Sequence, residues 1–325
     1  MISIIIPVFN GEKCISECLK SLQKQEHGDF EAIIVDNNST DGTKDIIKSF
    51  IVLDSRFKYY ICKNQGVSHA RNTGIEKALG EYIFFLDNDD TVRSDALKLL
   101  YIAAIKHDAD IVVSNSLRVH TDYINSNYLL DKSNGVSCLI DGDEIPKFVY
   151  EKSVNYTMHN IFKLYRKDII IKNNIRFDPD FSLGEDLLFN LQIYKKVRNL
   201  YYINKPLYIY NVTHDGLTHL YRKDFIEMKI KTTNELKNYL MENDLYDYRF
   251  YYLVINDIYA LLLNEYKSEN GKISNVFHLD FSKALIKSDV FKHLYFKKKV
   301  LFILIKYRIT PLLWLSLKMG RKFGG

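Results

Sequence analysis

Apolar positions along the first hundred residues follow two rhythms that take turns. Short unbroken runs, ISIIIPV, EAIIVD and EYIFFLD, read as strands covered on both faces. Between them stand segments with apolar spacings of three and four: GEKCISECLKSLQKQ, STDGTKDIIKSF, GVSHARNTGIEKALG and SDALKLLYIAAIKHDAD, which read as helices. FKYYIC is a shorter strand and DIVVSN another. Ser39 and Thr40, and later Ser94, are candidate N-caps, and Gly80 closes the third helix. Alternation of this kind predicts an α/β fold: a mostly parallel sheet with helices on both faces. Over 116–150 the pattern weakens and Gly, Asn, Asp and Ser become common, so loops and short elements are expected there. Order resumes with FKLYRKDIII, and a helix begins near Gly184. From about residue 224 the chain turns helical and Tyr-rich. The expected division is 1–223, with halves of about 1–115 and 116–223, followed by a helical region over 224–325.

The polar residues fall where such a sheet holds its ligands, beyond the carboxyl ends of the strands. Phe9 and Asn10 follow the first strand, and Asp36 ends the second. The strand in EYIFFLDNDDTV runs straight into Asp87, Asn88, Asp89 and Asp90. Crowded carboxylates repel one another and resist desolvation, so they need a metal ion, cationic partners or open water. Asp87 and Asp89 form a D-x-D element, whose oxygens suit Mg²⁺ or Mn²⁺ when phosphates supply other ligands. An ordinary acidic turn and helix cap accounts for Asp90, Thr91 and Asp95. In GEDLLFN, Glu185 and Asp186 stand at a helix N-terminus, where negative charge is favoured by about 0.3–1 kcal/mol. No G-x-x-x-x-G-K-[ST] and no G-x-G-x-x-G follows the first strand, which excludes the P-loop and dinucleotide readings. DNNSTDG has Asp41 where a calcium loop needs Gly, and it lacks the closing Glu.

Composition narrows the class. With 47% hydrophobic and 26% charged residues the 325-residue chain is globular and not disordered. None of the four Cys forms a C-x-x-C pair, and Cys14 and Cys18 read as reduced thiols on a helix. The start MISIIIPVFN has no basic region and no cleavage site, so a cytoplasmic location is expected. Of the net charge of +5, nine Lys and Arg with no acid lie in 292–325, which leaves −4 for the rest. A basic excess confined to one end argues against nucleic acid as a partner. That tail alternates basic clusters with the apolar runs 300–305 and 312–317, each short of the roughly 18–20 residues that span a bilayer. It suits a helix lying in an anionic inner-leaflet membrane surface. The alternatives are a packed helix pair or a homodimer contact.

Taken together, SIIIPVFNGEKCISECLKSLQKQ, EAIIVDNNSTDGT, NQGVSHARNTGIEKALGEYIFFLDNDD, FDPDFSLGEDLLFN and PLYIYNV resemble the family 2 glycosyltransferases, the inverting group with a GT-A fold. The pieces occur in the family's order and cover about two thirds of the chain. The resemblance implies that Pro7, Phe9 and Asn10 shape a nucleoside pocket, with Phe9 standing where Tyr is common. It implies that Asp36 accepts a hydrogen bond from the base, commonly uracil, and that Asn64 and Arg71 contact the nucleotide and diphosphate. Asp87 and Asn88 would lie near the ribose and sugar, and Asp89, with Asp87, would hold Mn²⁺ or Mg²⁺. Asp186 would be the general base, with Glu185 beside it for substrate hydroxyls. His214 stands where it could reach the diphosphate or metal, the alternative being a surface or structural histidine. The segment YNVTHDGLTH departs from the family at Asn211, Gly216 and Thr218. The implied reaction moves a sugar from a nucleotide-diphosphate donor, UDP-linked, to a glycan or lipid-linked glycan in a capsule, exopolysaccharide or teichoic-acid-like pathway. Two other classes use the same carboxylates. A nucleotidyl or phosphoryl transferase would release pyrophosphate or phosphate, but leaves GEDLLFN unexplained. An inactive scaffold has no need for Asp87, Asp89 and Asp186 together.

Overall fold

The computed structural model describes residues 1–120, 123–128, 136–151, 160–181, 183–212, 221–267, 273–294 and 296–308. The chain divides into two compact units, 1–214 and 215–325.

The first unit is built on a mixed sheet. Its strands are β1 (Ile2–Val8), β2 (Phe30–Asp36), β3 (Phe57–Ile61), β4 (Tyr82–Phe85), β5 (Thr91–Val92), β6 (Ile111–His120), β7 (Tyr123–Tyr128), β8 (Cys138–Asp141), β9 (Lys163–Arg166) and β10 (Asn199–Val212). The order along the main path is β3-β2-β1-β4-β9-β6-β10-β5, with β7 on β6 and β8 on β10. From β3 to β4 all pairings are parallel, as the continuous apolar runs predict. The parallel set then stops. β9 runs antiparallel between β4 and β6, and β10 is parallel to β6 but antiparallel to β5 and β8.

The helices are α1 (Ile15–Gln23), α2 (Thr43–Leu53), α3 (Val67–Lys77), α4 (Ala96–Lys106), α5 (Ile145–Glu151), α6 (Lys167–Lys172) and α7 (Glu185–Tyr194). Strand periodicity sorts them between the faces. Ile2, Ile4, Ile6 and Val8 of β1 join one buried cluster with Leu19 and Leu22 of α1, Ile47 of α2 and Leu100 of α4. Ile5 points the other way, against α3. A Cβ on Gly74 would stand 2.3 Å from the Ile5 Cγ2, so only glycine lets α3 lie this close to β1. On the same face Phe85, Phe177 and Phe189 pack ring to ring at 4.1–5.7 Å and seat α7.

Three expected N-caps are not observed, and α3 ends at Lys77 with Ala78, not Gly80, at its C-cap. α2 starts at Thr43 rather than after Ser39 or Thr40, and α4 has Asp95 rather than Ser94 at its N-cap. The Ser39 hydroxyl donates to Asp36 instead, so the polar residues hold a loop and not a helix end. β6 also runs on to His120, well beyond the DIVVSN segment, because β10 pairs with it along its length.

The second unit is helical: α8 (Phe225–Glu242), α9 (Tyr248–Lys267), α10 (Ile273–Phe277), α11 (Asp280–Lys287) and α12 (Phe296–Lys306). Leu236 and Leu240 of α8, Ile255, Ile258 and Leu262 of α9 and Ile305 of α12 are buried. No helix among the described residues is long and apolar enough to cross a membrane.

Candidate active site

The carboxyl edge of β1, β2 and β4 gathers the polar residues singled out in the sequence. After β1, buried Pro7 leads to Phe9, 55% exposed, and to Asn10, whose backbone takes a positive φ of 48°. The Asn10 Oδ1 accepts the Thr40 N–H at 2.8 Å, and its own N–H donates to Ser39 Oγ at 2.9 Å. Asp36 ends β2, buried, and accepts from the Ser39 N–H and hydroxyl at 2.9 and 2.6 Å and from the Tyr59 hydroxyl at 2.6 Å. Burial, together with Asp36, pushes the Tyr59 hydroxyl's pKa well up. Next to Asp36, the Asn37 side chain donates to the Asn64 carbonyl and accepts from the Gly66 N–H, both at 2.7 Å. The Asn64 side chain is left exposed. Asn37 was not singled out in the sequence, yet it ties the loop before α3 to the end of β2.

Arg71 is the centre of the site. It lies on α3, one turn before Gly74, and its side chain is 4% exposed. Its Nη1 donates to Glu185 Oε1 at 2.9 Å and to Asp186 Oδ1 at 2.8 Å, and its Nη2 donates to Asp87 Oδ1 at 3.0 Å. The guanidinium stands 5.2 Å over the Phe177 ring. One cation thus joins Asp87 after β4 to Glu185 and Asp186 at the start of α7, nearly a hundred positions along the chain. Gly184 opens α7 in the left-handed region at φ 82°, which turns Glu185 and Asp186 inward at the helix N-terminus. The Asp87, Glu185 and Asp186 side chains are 29%, 13% and 22% exposed, so the cluster is shut on the guanidinium side and open on the other. Burial raises the Asp186 pKa above the usual carboxylate range. Arg71 and Lys163 oppose that rise, and Glu185 and Asp87 add to it.

The loop after β4 is fastened from behind. Asp90, fully buried, accepts the Tyr208 hydroxyl at 2.6 Å and the Asn211 N–H at 2.8 Å, and the Asn211 side chain donates to the Asp89 carbonyl at 2.8 Å. Burial lifts the Asp90 carboxyl strongly, with Asp87 and Asp89 adding to it. Asp90 is therefore a buried anchor to β10 and not only part of an ordinary acidic turn, whereas Asp95 does stand at the N-cap of α4; the place of Asp90 as the third acid of DNDD was the available signal. Asn88 donates to the Cys14 Sγ at 3.1 Å, from the partly exposed thiol at the head of α1. The Asp89 carboxyl meets no side-chain donor among the described residues, and burial, then Asp87, pushes it up to about 6. A half-buried carboxylate without a cation, beside a second one, fits a divalent ion completed by phosphate oxygens. Among the described residues no three His, Cys, Asp or Glu could hold a metal by themselves. His214 lies outside the described residues.

The sequence profile described as glycosyl transferase family 2 matches residues 3–173. The chain belongs to this family. The glycosyltransferase is 26% identical to the uncharacterized glycosyltransferase EpsJ of Bacillus subtilis (strain 168) over 326 residues, 96% of this chain and 94% of that protein. It is 29% identical over 217 residues to the GalNAc(5)-diNAcBac-PP-undecaprenol beta-1,3-glucosyltransferase of Campylobacter jejuni, covering 65% of this chain and 64% of that one. Its fold matches the crystal structure of Staphylococcus aureus TarS 1–349 in complex with UDP, with a TM-score of 0.62 at 19% identity over 100% of this chain and 92% of that chain. The GT-A architecture expected from the sequence is the one observed, with the helical second unit attached.

Proposed function

We propose that this glycosyltransferase moves one sugar, with inversion, from a UDP-linked donor to a hydroxyl of a glycan or lipid-linked glycan in cell-surface polysaccharide synthesis. The observation that carries the reading is the meeting of Asp87 with Glu185 and Asp186 on one buried guanidinium. All three carboxylates keep some exposure to solvent around that guanidinium, which supports two carboxylate stations for one sugar. UDP in the TarS structure and the lipid-linked substrate named for the Campylobacter relative support the donor and acceptor classes.

In this reading Phe9 stacks on the base, Asp36 accepts from it, and Asn64 borders the nucleotide. Asp186 takes the proton of the acceptor hydroxyl as its oxygen bonds to the anomeric carbon. The bond from that carbon to the diphosphate oxygen breaks on the opposite face, and the electron pair leaves with UDP. Glu185 orients the incoming hydroxyls, and Arg71 keeps both acids in place. Asp89 and Asp87 would hold Mn²⁺ or Mg²⁺, which when bound supplies positive charge for the departing diphosphate.

Nucleotide release from a panel of sugar nucleotides tests the reading. Slow UDP release from one or two donors is expected with Mn²⁺ or Mg²⁺ and should stop with chelator. Release of phosphate or pyrophosphate would point instead to phosphoryl or nucleotidyl transfer. Asp89→Ala is expected to weaken metal-dependent UDP binding by about 10–100-fold. Unchanged titration calorimetry with metal present would remove Asp89 from the metal site.

A lipid-linked acceptor would bring the enzyme to the inner leaflet, and α12 suits that surface. Phe296, Val300, Ile303 and Tyr307 recur at helical spacing and are exposed, with Lys306 5.8 Å from the Tyr307 ring. Phe296→Ser with Ile303→Ser is expected to lower binding to anionic vesicles at least about tenfold. Unchanged vesicle binding with loss of a dimer in sedimentation would assign the stripe to a second copy of the chain.

A further inference from the structure

Lys163 is not explained by the reaction as described. It lies in β9 and has no solvent exposure. Among the described residues its ammonium meets no carboxylate at ion-pair distance. Both of its acceptors belong to Asn160: the backbone carbonyl, and the side-chain oxygen at 2.8 Å. Burying an ammonium on two neutral oxygens is costly, and a methionine would fill a similar volume without that cost.

The network reaches the helix that carries the base. The Asn160 carbonyl also accepts from the Asn190 side chain at 2.6 Å, and Asn190 Oδ1 accepts the Tyr165 hydroxyl at 2.8 Å. Asn190 is fully buried and stands four residues after Asp186 on α7, on the same helix face. Tyr165 is two residues from Lys163 on β9, hence on the same sheet face, and its ring packs on Phe189 of α7 at 5.7 Å. β9 is thus tied through Asn160 to Asn190 on α7, one turn after Asp186. Three acids there meet one guanidinium, so added positive charge is favourable. Asp87, Glu185 and Asp186 share the single guanidinium of Arg71.

We propose that Lys163 is a positioning residue for the general base: a second, buried basic group whose hydrogen bonds seat α7 and whose charge favours the carboxylate form, while touching no substrate. Electrostatics supports the placement. Burial pushes Lys163 down to about 7, the Asp186 charge pulls it back up, and Lys163 in turn lowers Asp186. The other groups acting on Asp186 are Arg71 from α3, Asp87 after β4, Glu185 beside it and the Tyr165 hydroxyl on β9. The proposal rests on the reading of Asp186 as the base.

The test uses the full chain with Lys163→Gln, which keeps a donor for Asn160 but no charge, Lys163→Met, which keeps neither, and Lys163→Arg, which keeps the charge. Transfer or donor hydrolysis is followed across pH, with thermal melting alongside. For Lys163→Gln, kcat should fall about tenfold or more with the donor KM unchanged. The acidic limb of its pH profile should move up by about one unit, because removing a cation favours the protonated acid. Lys163→Arg should bring the limb back. An unmoved limb in Lys163→Gln, or a rate loss in Lys163→Met and Lys163→Gln that follows melting alone, would reduce Lys163 to a packing residue. Should Asp186→Asn leave turnover intact, the base assignment fails first; should Asp186→Asn abolish it while the Lys163→Gln profile matches wild type, only the Lys163 proposal fails.

Discussion

Asp186→Asn is expected to lower kcat by about 10²–10⁴-fold while UDP binding survives. The amide has nearly the shape of the carboxylate, and its oxygen can still accept the 2.8 Å bond from Arg71 Nη1. What it cannot do is take a proton from an acceptor hydroxyl. The site should therefore keep its form and lose its chemistry. Turnover and calorimetric UDP affinity, measured on the same protein, separate the two. The pH dependence adds a second mark. Burial raises the Asp186 carboxyl, so the wild-type rate should climb with pH through a limb above the ordinary carboxylate range. That limb should vanish in the residual activity of Asp186→Asn. Glu185→Gln should cost less and keep the limb, because Glu185 shares the guanidinium without being the proton acceptor. Unchanged turnover in Asp186→Asn would move the base elsewhere.

How much of this was legible follows from how each contact is encoded. Strands buried on both faces leave continuous apolar runs, so β1, β2 and β4 could be read directly. β9 could not: KLYR is four residues flanked by charge, and only its neighbours β4 and β6, each far away in sequence, make it a strand. The acids after β4 and at the head of α7 stood out as carboxylates at element ends, and the family resemblance grouped them. Their meeting on Arg71 spans 114 and 115 positions to Glu185 and Asp186, and no local pattern records such a distance. Asp90 reads as a turn residue until Tyr208 and Asn211 are seen to close over it. Lys163 in a run of Lys and Arg reads as surface, and only the sheet reveals that it is buried. Ser39 shows the opposite failure, since a good N-cap residue beside a helix was claimed by Asp36.

Arg71→Met should destabilise the first unit by about 3–5 kcal/mol, the usual consequence of removing one partner from a buried ion cluster. For a unit of this size that is a fall in Tm of roughly 6–20 °C. Methionine can keep much of the packing against Phe177, so the loss is one of charge. Asp87, Glu185 and Asp186 would face one another with Lys163 as the remaining nearby cation, itself without a direct ion pair. The pH dependence identifies the cause. Without the guanidinium the folded-state pKa of Asp186, already raised, rises further. Between the wild-type and variant values the folded variant then holds more protons than the folded wild type. Stability of the variant relative to wild type must fall as pH rises through that window. The deficit should be smaller near about pH 5.5 than near about pH 8.5 when melting is compared at both. Arg71→Lys should fall between, because a single ammonium cannot reproduce the fork that reaches both sides of the site. A deficit independent of pH would mean that Arg71 holds this fold through its contact with Phe177, and that the three acids are tolerated without it.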